Sequence, residues 1–193
     1  MIFVYGSLVN PLARPPDLRA VTAELVGWRR AWAHRIETPQ GNVCGLTVAL
    51  EEHATVKGIV LLHDGAEPFD FDEREIGYER VPVAVRLIGS ESPGELTECF
   101  VYAGHERHRG CATREFPIWR SYLDCVALGF LHLGGVEALD EFISSTSGWD
   151  APILDDRASP KYPRALTITA AQELLIEDAL RRNGVPRNML SLS

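Results

Sequence analysis

The stretch YERVPVAVRLI, residues 78–88, carries the clearest secondary-structure signal of the chain. Apolar side chains alternate along it with charged or small ones, and this period of two predicts a half-buried β-strand. Pro82 has no N–H group for a sheet ladder, so we expect an edge position or a bulge there. The next apolar segment, LTECFVYA at residues 96–103, follows a turn rich in Gly, Ser and Pro. Together the two segments predict a β-hairpin.

Three further strands are predicted before this hairpin. MIFVY at residues 1–5 is a short apolar run closed by Gly-Ser, which is typical of a buried strand entering a tight loop. Residues 44–52 and 56–63 are predicted as two strands joined by a polar turn at residues 53–55. Residues 20–36 leave helix and strand both open, although the glycine between a valine and a tryptophan favours a bulged strand.

The second half of the chain changes to helical periodicity. Residues 116–135 have apolar side chains at helical spacing and end at a Gly-Gly pair, and residues 135–146 predict a second helix. The last helix is predicted over residues 169–184, where start and stop signals are complete. Strands followed by helices predict an α+β fold. We expect one domain over residues 1–193, with a C-terminal extension from about residue 147.

Composition and charge narrow the possible functions. The chain has 193 residues and a formal charge of −8, whereas nucleic-acid binding requires a concentrated basic surface. WRRAWAHR at residues 28–35 is an isolated basic and aromatic cluster, so we expect no nucleic-acid partner. No apolar run approaches the ~18 residues that span a bilayer, and the N-terminus has no basic leader. We therefore expect no membrane partner and a cytoplasmic location, with four widely spaced cysteines as reduced thiols.

Two short segments contain groups suited to catalysis. In YGSL, residues 5–8, the glycine permits a tight bend whose N–H groups can converge on an anion. FDFDERE, residues 69–75, places four carboxylates beside two phenylalanines. Glu75 stands where this segment meets the next strand, and burial there would raise its pKa toward the range of a general base. Taken singly, the first segment is also an ordinary strand end and the second a solvated turn, in which Asp72 and Glu73 are solvated neighbours.

Three blocks, taken in order, resemble the gamma-glutamylcyclotransferase family, in particular its ChaC-type, AIG2-like branch. They are YGSL at residues 5–8, V-x-G-x-V at 56–60 and D-x-R-E-x-G-Y-x-R-x-x-V at 72–83. The resemblance covers about residues 1–142. It implies an α+β, gamma-glutamylcyclotransferase-like fold, which is a small mixed β-barrel with flanking helices. The implied reaction is release of 5-oxoproline from a small γ-glutamyl compound, without cofactor or metal.

The resemblance also implies the site residues. The substrate-binding loop is matched by Tyr5, Gly6, Ser7 and Leu8. Glu75 matches the catalytic acid, and Tyr122 matches a helix tyrosine that lines the pocket. SGWDAPILDDRASPKYPR, residues 147–164, has no counterpart that we can place. We expect it to wrap over the core, with a lid or an interface as alternatives, and the sequence leaves the oligomeric state open.

Three rival readings remain. His105, His108 and Cys111 have the spacing H-x₂-H-x₂-C, which could hold zinc, although no fourth ligand is evident. Ser7 could be a nucleophile, but the chain lacks G-x-S-x-G and no histidine is placed by motif. A non-enzymatic binding protein of the same fold is the third reading. The carboxylate of Glu75 favours an enzyme over this last alternative.

Overall fold

The computed structural model describes residues 1–62, 71–72, 74–75, 77–88 and 94–191. Phe69, Asp70 and Glu73 of the acidic segment, and Ile76 directly after it, lie outside the described residues. The strands are β1 (Ile2–Val4), β2 (Arg19–Thr38), β3 (Gly41–Leu62), β4 (Tyr78–Leu87), β5 (Glu95–Gly104), β6 (Ile118–Trp119), β7 (Thr146–Ser147), β8 (Ile153–Asp155) and β9 (Met189–Ser191). The helices are α1 (Arg120–Ser145) and α2 (Ala170–Arg182).

Five strands close into a barrel. β1 pairs antiparallel with β3 and parallel with β5, and β5 pairs antiparallel with β4. The circle is completed where β4 meets β2 at residues 86–87 and 23–24, and where β2 pairs with β3 along a long hairpin. The closed sheet is therefore mixed, with one parallel pair, β1 with β5, and four antiparallel pairs. The predicted α+β fold with a small mixed barrel is confirmed.

The ambiguous segment at residues 20–36 is a strand. The register of β2 against β3 shifts between Val26 and Trp28, and Gly27 has φ +81°, which favours glycine over other residues. The predicted bulge is therefore present. The turn predicted at residues 53–55 is wrong, because β3 runs without a break from Gly41 to Leu62. The polar residues of β3 at this point lie opposite the bulge of β2. Their side chains are exposed to solvent although the backbone stays in the strand.

Pro82 occupies the position that its missing N–H group requires. β4 pairs with β5 along its length, including Pro82 with Phe100, but it pairs with β2 only at its C-terminal end. Pro82 is exposed, and the register shifts just beyond it, between Val83 and Val85. Both the edge position and the irregularity predicted from the proline are confirmed.

The helices end and bend where glycine and capping residues predict. α1 has non-helical backbone angles at Gly134 and Gly135, and the φ of Gly135 is +68°. The predicted division into two helices thus appears as a kink in α1. At the start of α2, the Thr169 side chain accepts from the N–H of Gln172, whose own side chain accepts from the N–H of Thr169. This is the predicted capping box.

α1 is more apolar than the sequence analysis allowed. By length and composition alone it is long and apolar enough to cross a membrane, with a mean hydropathy of 1.3 over its most apolar window. Half of that window is buried inside the protein, and Leu123, Val126 and Phe130 belong to the same buried core as the barrel strands. The core helix of a globular protein passes the same test of length and composition.

Candidate active site

The loop after β1 is held at its first residue. The Tyr5 hydroxyl donates to the Tyr102 carbonyl at 2.7 Å, and the Tyr5 carbonyl accepts from Arg30 Nη1 at 2.8 Å. A 3-10 turn, Ser7–Val9, follows, in which the Val9 N–H donates to the Gly6 carbonyl at 3.0 Å. The N–H groups at the start of such a turn have no partner within the turn. They are therefore available to a ligand at the mouth of the barrel.

Arg30 is the buried anchor of this loop. Its guanidinium lies 4.9 Å from the Phe130 ring and 4.7 Å from the Phe142 ring, and Nε donates to Thr146 Oγ1 at 2.9 Å. Burial lowers its pKa to about 9. Arg30 and His34 belong to the basic cluster noted in the sequence, and both are fully buried. Part of that cluster is therefore core structure and not a basic surface.

Glu75 is placed by a tight turn between Phe71 and β4. Its N–H donates to the Phe71 carbonyl at 2.9 Å, and its carbonyl accepts from the Tyr78 N–H at 3.0 Å. The side chain is only 19% exposed. Burial raises the pKa of this carboxyl group, against the opposing effect of the Arg74 and Arg164 cations. The structure thus holds a partly desolvated carboxylate where the sequence suggested one.

Asp72, three residues earlier, has the opposite environment. Its side chain is 55% exposed, and it accepts hydrogen bonds from the Tyr102 hydroxyl at 2.6 Å and from Arg80 Nε at 2.8 Å. These two bonds, that of Tyr102 above all, lower its pKa. Asp72 is therefore an ionised surface group, as expected of a solvated neighbour.

Glu75 and the loop at residues 5–8 face the same cavity. This inner cavity has a volume of about 50 Å³. Its lining consists of Phe3, Val4, Tyr5, Gly6, Ser7, Leu8, Leu46, Glu75, Tyr78, Tyr102 and Tyr122. The structure therefore brings together every residue that the resemblance assigned to the site. Their catalytic and binding roles remain predictions.

Tyrosines form much of the wall of the inner cavity. The Tyr78 hydroxyl donates to the Leu46 carbonyl at 2.8 Å, and burial raises its pKa well above the ordinary value. Burial does the same to the pKa of Tyr122, whose ring meets Trp32 edge-on at 5.7 Å. A Cβ atom on Gly6 would lie 3.4 Å from the Tyr122 hydroxyl. A Cβ at this position would be in ordinary van der Waals contact with Tyr122, so the close approach alone does not require glycine.

A larger groove continues outward from the inner cavity. It has a volume of about 320 Å³ and shares four lining residues with the cavity, namely Ser7, Glu75, Tyr78 and Tyr122. Ile36, Val43 and Trp119 give it apolar surface, while Arg74 and Arg164 give it positive charge. The two spaces therefore meet at Glu75.

The C-terminal segment supplies one wall of this outer groove. The Tyr162 hydroxyl donates to Ser7 Oγ at 2.9 Å, and the Tyr162 N–H donates to Ser121 Oγ at 3.2 Å. Ser121 is itself fixed by the buried Asp156 carboxylate, which accepts from its N–H at 2.7 Å and its hydroxyl at 2.6 Å. Part of the segment therefore wraps over α1, as expected, and its end reaches the site.

Among the lining residues that the sequence analysis did not assign to the site are Tyr78, Tyr102, Tyr162 and Arg164. Tyr78 stands inside the quoted motif, so its proximity to Glu75 was a usable signal. The last two come from a segment without periodicity, and Tyr162 is 155 positions from its hydrogen-bond partner Ser7. No local pattern could have connected them.

The rival readings find little support in the geometry. No group of three possible metal ligands occurs among the described residues, so His105, His108 and Cys111 do not converge. Ser7 Oγ lies next to Arg74 Nη2, at 3.2 Å, and the Tyr162 hydroxyl. In the described part of the chain it has no imidazole partner of the kind that a serine nucleophile requires.

Comparison with solved structures gives the fold a precedent. A structure described as "Gamma-glutamyl cyclotransferase" matches with a TM-score of 0.57 at 15% identity, over 92% of this chain and 97% of the other. An uncharacterized protein from Homo sapiens matches with a TM-score of 0.57 at 16% identity, over 91% and 96%. No family model matches the chain, and no curated protein sequence does. At such low identity the likeness shows the fold alone, and that fold is the one the sequence blocks predicted.

Proposed function

We propose that the protein is a cofactor-independent γ-glutamyl cyclotransferase, which releases 5-oxoproline and a free amine from a γ-glutamyl compound. The observation that carries this proposal is the position of Glu75. Its carboxylate is partly desolvated, has a raised pKa, and lines the same small cavity as the loop at residues 5–8. A raised carboxyl pKa in a cavity is typical of a catalytic acid or base.

The substrate itself supplies the nucleophile and the leaving group of the proposed reaction. A γ-glutamyl compound carries its own nucleophile, because its α-amine can close a five-membered ring on the γ-carbonyl carbon. A loop that fixes the bent conformer exploits an effective molarity of ~10⁵–10⁸ M. The new C–N bond forms as the bond between the γ-carbonyl and the leaving nitrogen breaks. The substrate supplies both bonding partners, so neither water nor a protein nucleophile is consumed.

Glu75 would move the proton that this exchange requires. As a carboxylate it accepts a proton from the attacking amine, whose ordinary pKa is near ~8, and it then donates a proton to the leaving nitrogen. A carboxyl group of raised pKa serves both steps better than an ordinary one, since its two protonation states lie closer in free energy near neutral pH. Acid–base catalysis of this kind contributes ~10²–10⁴ in rate.

The loop would stabilise the developing oxyanion. Negative charge grows on the γ-carbonyl oxygen during attack, and backbone N–H groups aimed at it lower the barrier. The available donors are the N–H groups that begin the 3-10 turn, Ser7–Val9. Arg30 and Tyr102 hold Tyr5 at the base of this loop. The donors are therefore preorganised before substrate binds.

The substrate is a γ-glutamyl compound whose leaving group fits the outer groove. Glutathione is the first candidate, and γ-glutamyl amino acids or γ-glutamyl amines are the second. The test is to incubate the purified protein with members of each class and to measure 5-oxoproline by mass spectrometry. Release from at least one class is the expected result. Binding of these compounds without 5-oxoproline release would overturn the enzymatic proposal and favour a binding protein.

A further inference from the structure

Provided that the proposed function holds, the inner cavity and the outer groove each bind one half of the substrate, either the glutamyl group or the leaving group. Glu75 must contact both the attacking and the leaving nitrogen, so the bond that breaks lies where the inner cavity and the outer groove meet. The inner cavity, at about 50 Å³, is much smaller than the groove, at about 320 Å³, and it contains the loop. The glutamyl group therefore points inward and the leaving group lies in the outer groove.

Two arginines, Arg74 and Arg164, line the groove, and they differ in their hydrogen-bond and ion-pair partners. All three nitrogens of the Arg74 guanidinium have partners: Nη1 donates to the Ala13 carbonyl at 2.9 Å, Nη2 donates to Ser7 Oγ at 3.2 Å, and Nε lies 3.3 Å from the Glu75 carboxylate. Arg74 thus holds the site together. In the described part of the chain, the Arg164 guanidinium has no hydrogen bond or ion pair, although it lines the same groove.

A hydrogen-bonded turn fixes the backbone position of Arg164. The Ala165 N–H donates to the Tyr162 carbonyl at 3.0 Å, which closes a turn with Pro163 and Arg164 at its two central positions. Proline is favoured at the first of these positions because its φ is already fixed. The turn is tied to the site through the hydrogen bond of Tyr162 to Ser7 and through its ring, 5.0 Å from that of Tyr122.

We infer that Arg164 binds a carboxylate on the leaving group, so that the preferred substrates are γ-glutamyl amino acids or peptides and not simple γ-glutamyl amines. A guanidinium binds a carboxylate through two parallel hydrogen bonds, and its planar fork suits that geometry. The apolar residues of the groove, such as Ile36 and Trp119, would contact the side chain of the leaving amino acid. Glu37 lines the same groove with a negative charge and provides a matched control.

The test measures kcat/KM from 5-oxoproline release with three substrates. γ-Glutamylalanine and glutathione carry a leaving-group carboxylate, whereas γ-glutamylethylamine is γ-glutamylalanine without it. We expect the wild type to prefer the two acids. Arg164→Gln is expected to lower kcat/KM for the acids about tenfold or more, chiefly through KM, and to change it less than twofold for the amine. Arg164→Lys should restore part of the loss, and Glu37→Gln, which removes a negative charge from the same groove, should keep or strengthen the preference for acids.

The other outcomes separate failure of the inference on Arg164 from failure of the proposed function. An equal loss for acids and amine in Arg164→Gln would mean that this cation acts on the glutamyl group or on Glu75, and would overturn the inference. No loss for the acids, or a wild-type preference for the amine, would overturn it as well. If the wild type releases no 5-oxoproline from any of the three substrates, the proposed function itself fails.

Discussion

The inner cavity and the outer groove are built from different parts of the chain. The cavity is lined by residues of the barrel strands, the loop after β1, the turn that carries Glu75 and the first turn of α1, and tyrosines form much of its wall. The groove opens outward and is completed by residues 162–164 of the C-terminal segment. This difference teaches that chemistry and recognition are separable here. Changes in the cavity should affect every substrate, whereas changes in the groove should depend on the leaving group.

Within the acidic segment, two substitutions give the largest expected contrast. Glu75→Gln should lower kcat for every γ-glutamyl substrate by ~10²–10⁴, because the amide neither accepts nor donates the required proton. Asp72→Asn should change kcat by less than threefold, because Asp72 lies at the surface and outside the lining of the cavity. Steady-state kinetics of 5-oxoproline release measure both effects.

Thermal unfolding provides the control for the Glu75 variant. Burial raises the pKa of Glu75 in the folded protein above its unfolded value, so the ionised carboxylate lowers stability at pH values above the folded pKa. Replacement by neutral glutamine removes this cost. At pH 7 the melting temperature of Glu75→Gln should therefore equal or exceed that of the wild type. A large decrease would mean that lost activity reflects a damaged fold.

The pH dependence of kcat/KM gives the next effect in size. Activity should fall tenfold for each pH unit below the pKa of Glu75, since protonation removes the base. Burial places this pKa above the ordinary value of ~4.3. Arg164→Gln removes a cation that opposes the effect of burial, so the acidic limb of the profile should move to higher pH. An acidic limb at or below pH ~4 would show that another group is the base.

The smallest effect is expected at the boundary between the two spaces. Tyr162→Phe removes the hydroxyl that donates to Ser7 Oγ but keeps the ring against Tyr122. Loss of one such hydrogen bond should lower kcat/KM about fivefold. The loss should be similar for acidic and amine leaving groups, because the bond positions the loop and not the leaving group. A loss confined to the acids would instead assign Tyr162 to recognition, and the groove would then extend further inward.

The strands, their hairpin and the start of α2 were predictable because their signals are local, whereas the barrel was expected only from the family resemblance. The alternation along residues 78–88, the proline at an edge and the capping box before α2 each depend on neighbours within a few positions. The continuous strand through residues 53–55 was missed because a short polar stretch between two apolar segments is typical of a turn. The residues on either side of this stretch pair with the distant β2 and keep the strand continuous, and sequence periodicity does not report such a partner.

Some residues of the candidate site were predictable from the sequence, and others were found only in the structure. Glu75 and the loop at residues 5–8 were identified by resemblance, because both lie within recognisable motifs. Tyr162 and Arg164 lie in a segment without a motif, and only the path of the chain past α1 brings them to the groove. The cavity that would perform the chemistry was therefore accessible from the sequence, whereas the wall that would select the leaving group required the structure.

The central claim is that the substrate's own amine attacks the γ-carbonyl. The most direct measurement compares γ-glutamylalanine with its N-acetyl derivative in one assay and identifies the products by mass spectrometry. The account predicts equal amounts of 5-oxoproline and alanine from the free amine, and no alanine from the acetylated compound, whose nitrogen is no longer nucleophilic. Alanine from the acetylated compound, or glutamate in place of 5-oxoproline, would contradict the account, since water or a protein group would then be the nucleophile.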